Sequence, residues 1–242
     1  MTSNSSQGGV MKKIDIGPAG KLCITFVLAF VATAQSQTTP YPSMAPAEQY
    51  QMARDAEISM ARSAAPPSVS QDAEILVLGQ KGYEVAAKGS NGFTCLVQRS
   101  WAAGVDFPEF WNPKLRAPIC LNAEATRSIL PHFTSKAEWA LAGLTKEQIA
   151  ERIKAALHSP KFPDVEPGAM CYMMSKDQYL NDRAVHWHPH LMFFSAAVDP
   201  ATWGANLKES PLIADTDKSE NVTIFMLTVS KWSDGTPDKP ME

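Results

Sequence analysis

The sequence predicts a single α+β domain: one antiparallel sheet of five or six strands, with flanking helices and a helical insertion between two strand groups. Three observations predict it. Short β-prone runs separated by glycine-rich turns begin at Glu74, amphipathic helical stretches follow Asn122, and strand-like sequence returns after Gly168. The 242 residues are 45% hydrophobic and 19% charged, which is enough apolar content for a core and excludes wholesale disorder. Twenty-two Lys and Arg stand against 25 Asp and Glu, a formal charge of −3, and no basic stripe suggests a nucleic-acid surface.

Residues 1–34 read as upstream sequence and a secretory signal peptide. Met11-Lys12-Lys13 supplies the basic start, an apolar run extends from Leu22 to Ala34, and Ala32-Thr33-Ala34 is a small-x-small cleavage end. Met11 is the expected start of translation. The apolar run is short of the roughly 20 residues that span a bilayer, so no stable membrane anchor is expected after cleavage. Removing 1–34 takes away Lys12, Lys13, Lys21 and Asp15, a net charge of +2, and leaves 208 residues at −5. The expected destination is the periplasm or the exterior, where cysteines can oxidise.

A proline-rich linker, 35–46, precedes a domain expected over 47–233. Pro46 can open a helix that runs to about Ser63, and Pro66-Pro67 ends it. Glu74–Leu78, 83–88 and 93–99 read as an antiparallel meander, its turns at 79–82 and 89–92, the second containing Asn-Gly. Residues 100–120 interleave Pro108, Pro113 and Pro118 with Trp101, Phe107, Phe110 and Trp111. Such a loop either packs over the core or offers Trp101, Phe110 and Trp111 as a ligand surface.

Asn122 can cap a helix to about Leu130, and Ser135 with Glu138 and Thr145 with Gln148 both match the capping box. Ile149, Ile153, Ala156 and Leu157 form one apolar face, and Pro160 and Pro163 end that helix. Strands are expected at 169–175, 188–196 and 221–231, with a short helix opened by Asp199-Pro200. Asp215 and Asp217 fall in polar loop sequence, and 234–242 read as a mobile tail.

The most distinctive run is His186-Trp187-His188-Pro189-His190-Leu191-Met192. In an extended chain alternate side chains share a face, which groups His186, His188 and His190. Two imidazoles at i and i+2 can converge on a zinc or copper ion, and Pro189 confines the strand to an edge or a beginning. The plain alternative is a hydrogen-bonded histidine run. Cys171 and His132 are the outside candidates for a further ligand. Cys171 could also act as a thiolate with His188 or His190 as its base, or be a buried inert thiol. Cys95 and Cys120 are the natural disulfide pair, and closing a loop of about 25 residues contributes roughly 3 kcal/mol.

No G-x-S-x-G, G-x-G-x-x-G, Walker, C-x-x-C or H-E-x-x-H motif is present, so the standard hydrolase, dinucleotide, phosphate, redox and zinc-protease readings all lose support. Asn91-Gly92-Phe93-Thr94-Cys95, Pro118-Ile119-Cys120-Leu121-Asn122, Tyr172-Met173-Met174-Ser175 and His188-Pro189-His190-Leu191-Met192 together resemble the motif series of a group of exported bacterial proteins without an assigned activity. The group commonly has Trp where Phe93 stands. The resemblance covers roughly residues 57–232 and implies a bacterial, periplasmic or secreted setting. Three classes remain: an exported binding or accessory protein, a metal-binding protein using His188 and His190 with His186 optional, and a metal-assisted hydrolase or redox enzyme.

Overall fold

The computed structural model describes residues 40–157, 159–184 and 186–239. The expected leader and residues 35–39 of the linker lie outside the described residues, as do 240–242. The rest is α+β, but the sheet differs from expectation. It has eight strands and is mixed, where five or six antiparallel strands were expected. The spatial order is β2 (Tyr83–Ala87), β1 (Glu74–Leu78), β3 (Thr94–Gln98), β4 (Ala117–Leu121), β5 (Met170–Met173), β6 (His190–Ala196), β8 (Val222–Thr228), β7 (Leu212–Asp217).

Two strands escaped the sequence reading for identifiable reasons. β4 carries Pro118 and directly follows the proline-rich loop, yet Pro118 lies opposite Val97 and the strand pairs with β3 over its whole length. β7 is the polar edge strand, and its Asp215 and Asp217 lie opposite Ile224 and Val222 of β8.

The mixed character arises at the Asn-Gly turn. β2 pairs with β1, but β3 lies on the other side of β1 and runs parallel to it. Asn91 makes no hairpin: its Nδ2 donates to the Val69 carbonyl at 2.7 Å, and its Oδ1 accepts from the Phe93 N–H at 3.1 Å. Gly89 crosses so close to β1 that a Cβ there would come within 2.1 Å of the Glu74 nitrogen. Only glycine allows that crossing.

The helices are α1 (Arg54–Arg62), α2 (Pro67–Ser70), α3 (Ala123–Ser128), α4 (Leu130–Leu141) and α5 (Lys146–Leu157). The helix expected from Pro46 is broken, because Arg99 Nε donates to the Tyr50 carbonyl at 2.7 Å and the chain leaves a 3-10 turn there before α1 begins. Asn122 caps α3 by accepting from the Ala125 N–H at 3.0 Å. The Thr145 and Gln148 box forms reciprocally, at 2.9 and 3.3 Å. Ser135 and Glu138 instead lie inside α4, where no N-terminus exists for them to cap.

α1 covers one face of the sheet over Ile75, Cys95, Val97 and Cys120, while α3 covers the other over Leu96, Leu121, Cys171 and Met173. Cys95 and Cys120 are paired neighbours on β3 and β4 and are joined by a disulfide. Trp101, Phe110 and Trp111 do not form a surface. They are 1%, 0% and 3% exposed and build a core with Tyr50, Trp139 and Ile149, so these three aromatics are structural.

Candidate metal centre

The sequence after β8 builds the site. Trp232 donates its N–H to the Thr236 carbonyl at 2.9 Å, Lys231 bridges Pro237, and Asp238 donates its N–H to Ser230 at 2.9 Å. Gly235, at φ +81°, supplies the left-handed position of the turn, and Asp234 Oδ1 accepts from the Thr236 N–H at 2.9 Å. Lys176 pairs with Asp234 at 2.7 Å, and the Ser233 N–H donates to Met174 at 3.0 Å, which fastens the turn to the chain after β5. The segment read from sequence as a tail therefore folds back and returns Asp238 to the start of β6. The Asp234-Gly235 dipeptide was its signal, a strong hairpin cue that lay beyond the last expected strand.

At that point Asp238 meets two histidines. His186 Nε2 lies 2.9 Å from Asp238 Oδ1, and His188 Nδ1 lies 2.5 Å from Asp238 Oδ2. The two imidazoles are edge to face with centroids 4.8 Å apart, and the Trp232 ring packs edge-on to His186. The carboxylate is 4% exposed on its side chain, against 35% for His186 and 26% for His188, so the site is floored by the acid and open on the imidazole side. Burial pushes the Asp238 carboxyl up, but hydrogen bonds from His188 and His186 outweigh it and hold it below its ordinary value.

One donor atom from each of His186, His188 and Asp238 lies within 4.8 Å of the others. Zinc bonds of about 2.0–2.2 Å in a tetrahedron need donors roughly 3.3 Å apart, so donors up to 4.8 Å apart would have to draw together to share one ion. Two neutral imidazoles and a carboxylate suit zinc and, among the other first-row ions, copper, nickel, cobalt or iron. Three protein ligands leave a coordination position open.

The other candidates from sequence lie elsewhere. His190 does not join His186 and His188, because β6 begins at His190 and strand alternation does not extend back through the two residues before it. It is 5% exposed, pairs with Met173 and Thr228, and has Nδ1 2.8 Å from the His188 carbonyl. Burial lowers its pKa and favours the neutral ring. Cys171 sits opposite Met192 in the core, its thiol pushed up by burial, which suits an inert thiol and not a thiolate. His132, on α4, is held by Glu220 with 2.7 Å between Nδ1 and Oε2. No family model, curated protein or solved structure matches the chain. Its functional reading rests on these side chains.

Glu220 also pairs with Lys136, which donates to the Ala102 and Ala103 carbonyls at 2.7 and 3.3 Å. Burial pushes the Glu220 carboxyl up, yet Lys136 and His132 bring it below its ordinary value of 4.5. A carboxyl depressed on folding contributes stability that is present above the unfolded pKa and lost as pH falls through the folded one. The melting-temperature gap between the native protein and Glu220→Gln therefore narrows as pH falls below about 4.5. A gap unchanged down to pH 3 would show that the charged carboxylate contributes nothing.

Proposed function

We propose that this chain is an exported binding protein whose ligand is a transition-metal ion, zinc or copper, held by His186, His188 and Asp238. The observation that carries this reading is the return of Asp238 to the two histidines. It supplies the carboxylate that completes a three-donor set within 4.8 Å. Export is supported by the leader-like sequence at 11–34, by the resemblance to exported bacterial proteins and by the Cys95–Cys120 bond, which belongs in an oxidising compartment. Among the described residues no helix is long and apolar enough to cross a membrane.

The test uses protein purified without a histidine tag and stripped with chelator. Zinc at 100 times its dissociation constant adds about 2.7 kcal/mol, which in a domain of this size raises the melting temperature by about 5–10 °C. His188→Ala and Asp238→Asn abolish that rise and the stoichiometric metal found by elemental analysis. Binding weakens below about pH 6, where protons compete for the imidazoles. Neither metal content nor a thermal shift in the native protein, with zinc or with copper, would reject the reading.

A further inference from the structure

A second site lies at the other end of the β6–β8 pair. His190 pairs with Thr228 at the metal-centre end, and Ala196 pairs with Val222 at the far end, so the two sites are about 20 Å apart along the strands. At the far end a cavity of about 760 Å³ opens between the 102–108 loop, α4 and the β7–β8 turn. That is the size of a small-molecule pocket. Phe107, Phe133, Phe194, Val222 and Ile224 line its walls.

Its polar groups are unevenly placed. Asp106 Oδ1 and Asp217 Oδ2 both lie 2.9 Å from the point that a Cβ on Gly104 would occupy, so two carboxylates crowd one spot over a residue with no side chain. Asp217 uses Oδ1 to accept from the Ser219 and Glu220 N–H groups, at 2.8 and 3.1 Å. Among the described residues neither Asp106 nor Asp217 Oδ2 accepts a hydrogen bond or forms an ion pair; Lys146, which donates to the Phe107 carbonyl, is the cation that acts on Asp106 from nearby, and Lys218 also lines the cavity. Two like charges facing one opening favour a cationic guest. His132, 3% exposed, also lines the cavity. Its Nδ1 is engaged by Glu220 and its ring is stacked on Phe162 at 3.9 Å, while Nε2 has no partner among the described residues. With Nδ1 donating to Glu220, the neutral ring presents Nε2 as an acceptor.

We infer that this cavity binds a small primary amine with an aromatic body and a hydroxyl donor at the end remote from the nitrogen. The ammonium sits between Asp106 and Asp217, the ring lies against Phe107, Phe133 and Phe194, and the hydroxyl donates to His132 Nε2. Lys136 does not oppose the cation, because its donors are already given to Glu220 and the Ala102 and Ala103 carbonyls. The metal centre plays no part in this site.

Calorimetric titration of the chain in chelator-containing buffer tests the assignment with three probes: tyramine, phenethylamine and 3-(4-hydroxyphenyl)propanoate. Tyramine binds saturably at one site. Phenethylamine, which lacks the hydroxyl, binds about tenfold more weakly, and the carboxylate does not bind, since each lost charge-assisted or buried hydrogen bond is worth about a factor of ten. Asp106→Asn, at an exposed position, weakens tyramine about tenfold without changing the melting temperature. No saturable tyramine binding up to 10 mM, equal binding of the carboxylate, or tyramine affinity unchanged in Asp106→Asn would each overturn the inference. So would calcium binding that Asp106→Asn removes in a protein that ignores all three organic probes, measured in chelator-free buffer.

Discussion

Replacing Glu57 with leucine is expected to lower the unfolding free energy by about 3–5 kcal/mol. Glu57 on α1 and Arg99 after β3 form an ion pair of 2.9 Å in which both side chains are within 1% of complete burial. Glu57 also accepts the Leu78 N–H at 3.1 Å, and Arg99 donates to the Tyr50 carbonyl. Removing the carboxylate strands a guanidinium that cannot lose its proton and leaves a buried N–H unpaired, and both penalties are paid in full. Arg99→Leu costs a similar amount, since the Glu57 charge is then isolated. The double variant Glu57→Leu/Arg99→Leu costs less than the two single costs together, because neither charge is left alone. Urea unfolding of the four proteins measures this directly. Additive costs would show that the pair is not coupled.

Removing the disulfide is the second large effect. Cys95→Ala/Cys120→Ala is expected to lose about 3 kcal/mol, because the unfolded chain regains the freedom of a loop closed across 25 residues. The two residues are already opposite each other in the β3–β4 pairing, so the native sheet needs no rearrangement when the bond is absent. The variant therefore keeps its circular dichroism spectrum while its denaturation midpoint falls. Reductant produces the same fall in the native protein and none in the variant. Thiol titration of a chain beginning after residue 34, denatured without reductant, finds one free thiol, that of Cys171. Three would remove the disulfide.

Much of the fold was legible because the deciding interactions are local. Asn122 and the Thr145–Gln148 box act within one helical turn, and the apolar face of Ile149, Ile153 and Ala156 is read from a single helix. The errors lie where distant contacts decide. Arg99 breaks the first helix from 49 residues away, Val69 and Asp72 draw the 89–92 turn away from a hairpin, and pairing with Val97 makes a strand of a segment holding Pro118. The candidate site divides the same way. The sequence offered His188 and His190 as the pair with His186 optional, whereas the structure sets His186 beside His188, and their acid lies 50 residues beyond His188 and reaches them through a turn that no hydrophobic period announces.

The three donors of the proposed metal centre stand on supports of different durability. His188 is two residues from a strand bonded on both edges, whereas Asp238 rides on a short hairpin joined to the sheet by a handful of hydrogen bonds. Such a terminal hairpin opens far more often than the sheet itself. If the proposed centre holds an ion, the carboxylate is expected to be the donor that leaves first and returns last, so that the ion's residence time follows the opening rate of residues 231–238. The amide of Asp238, bonded to Ser230, reports that rate in hydrogen exchange, and a zinc off-rate that matches it would make the hairpin the latch of the centre.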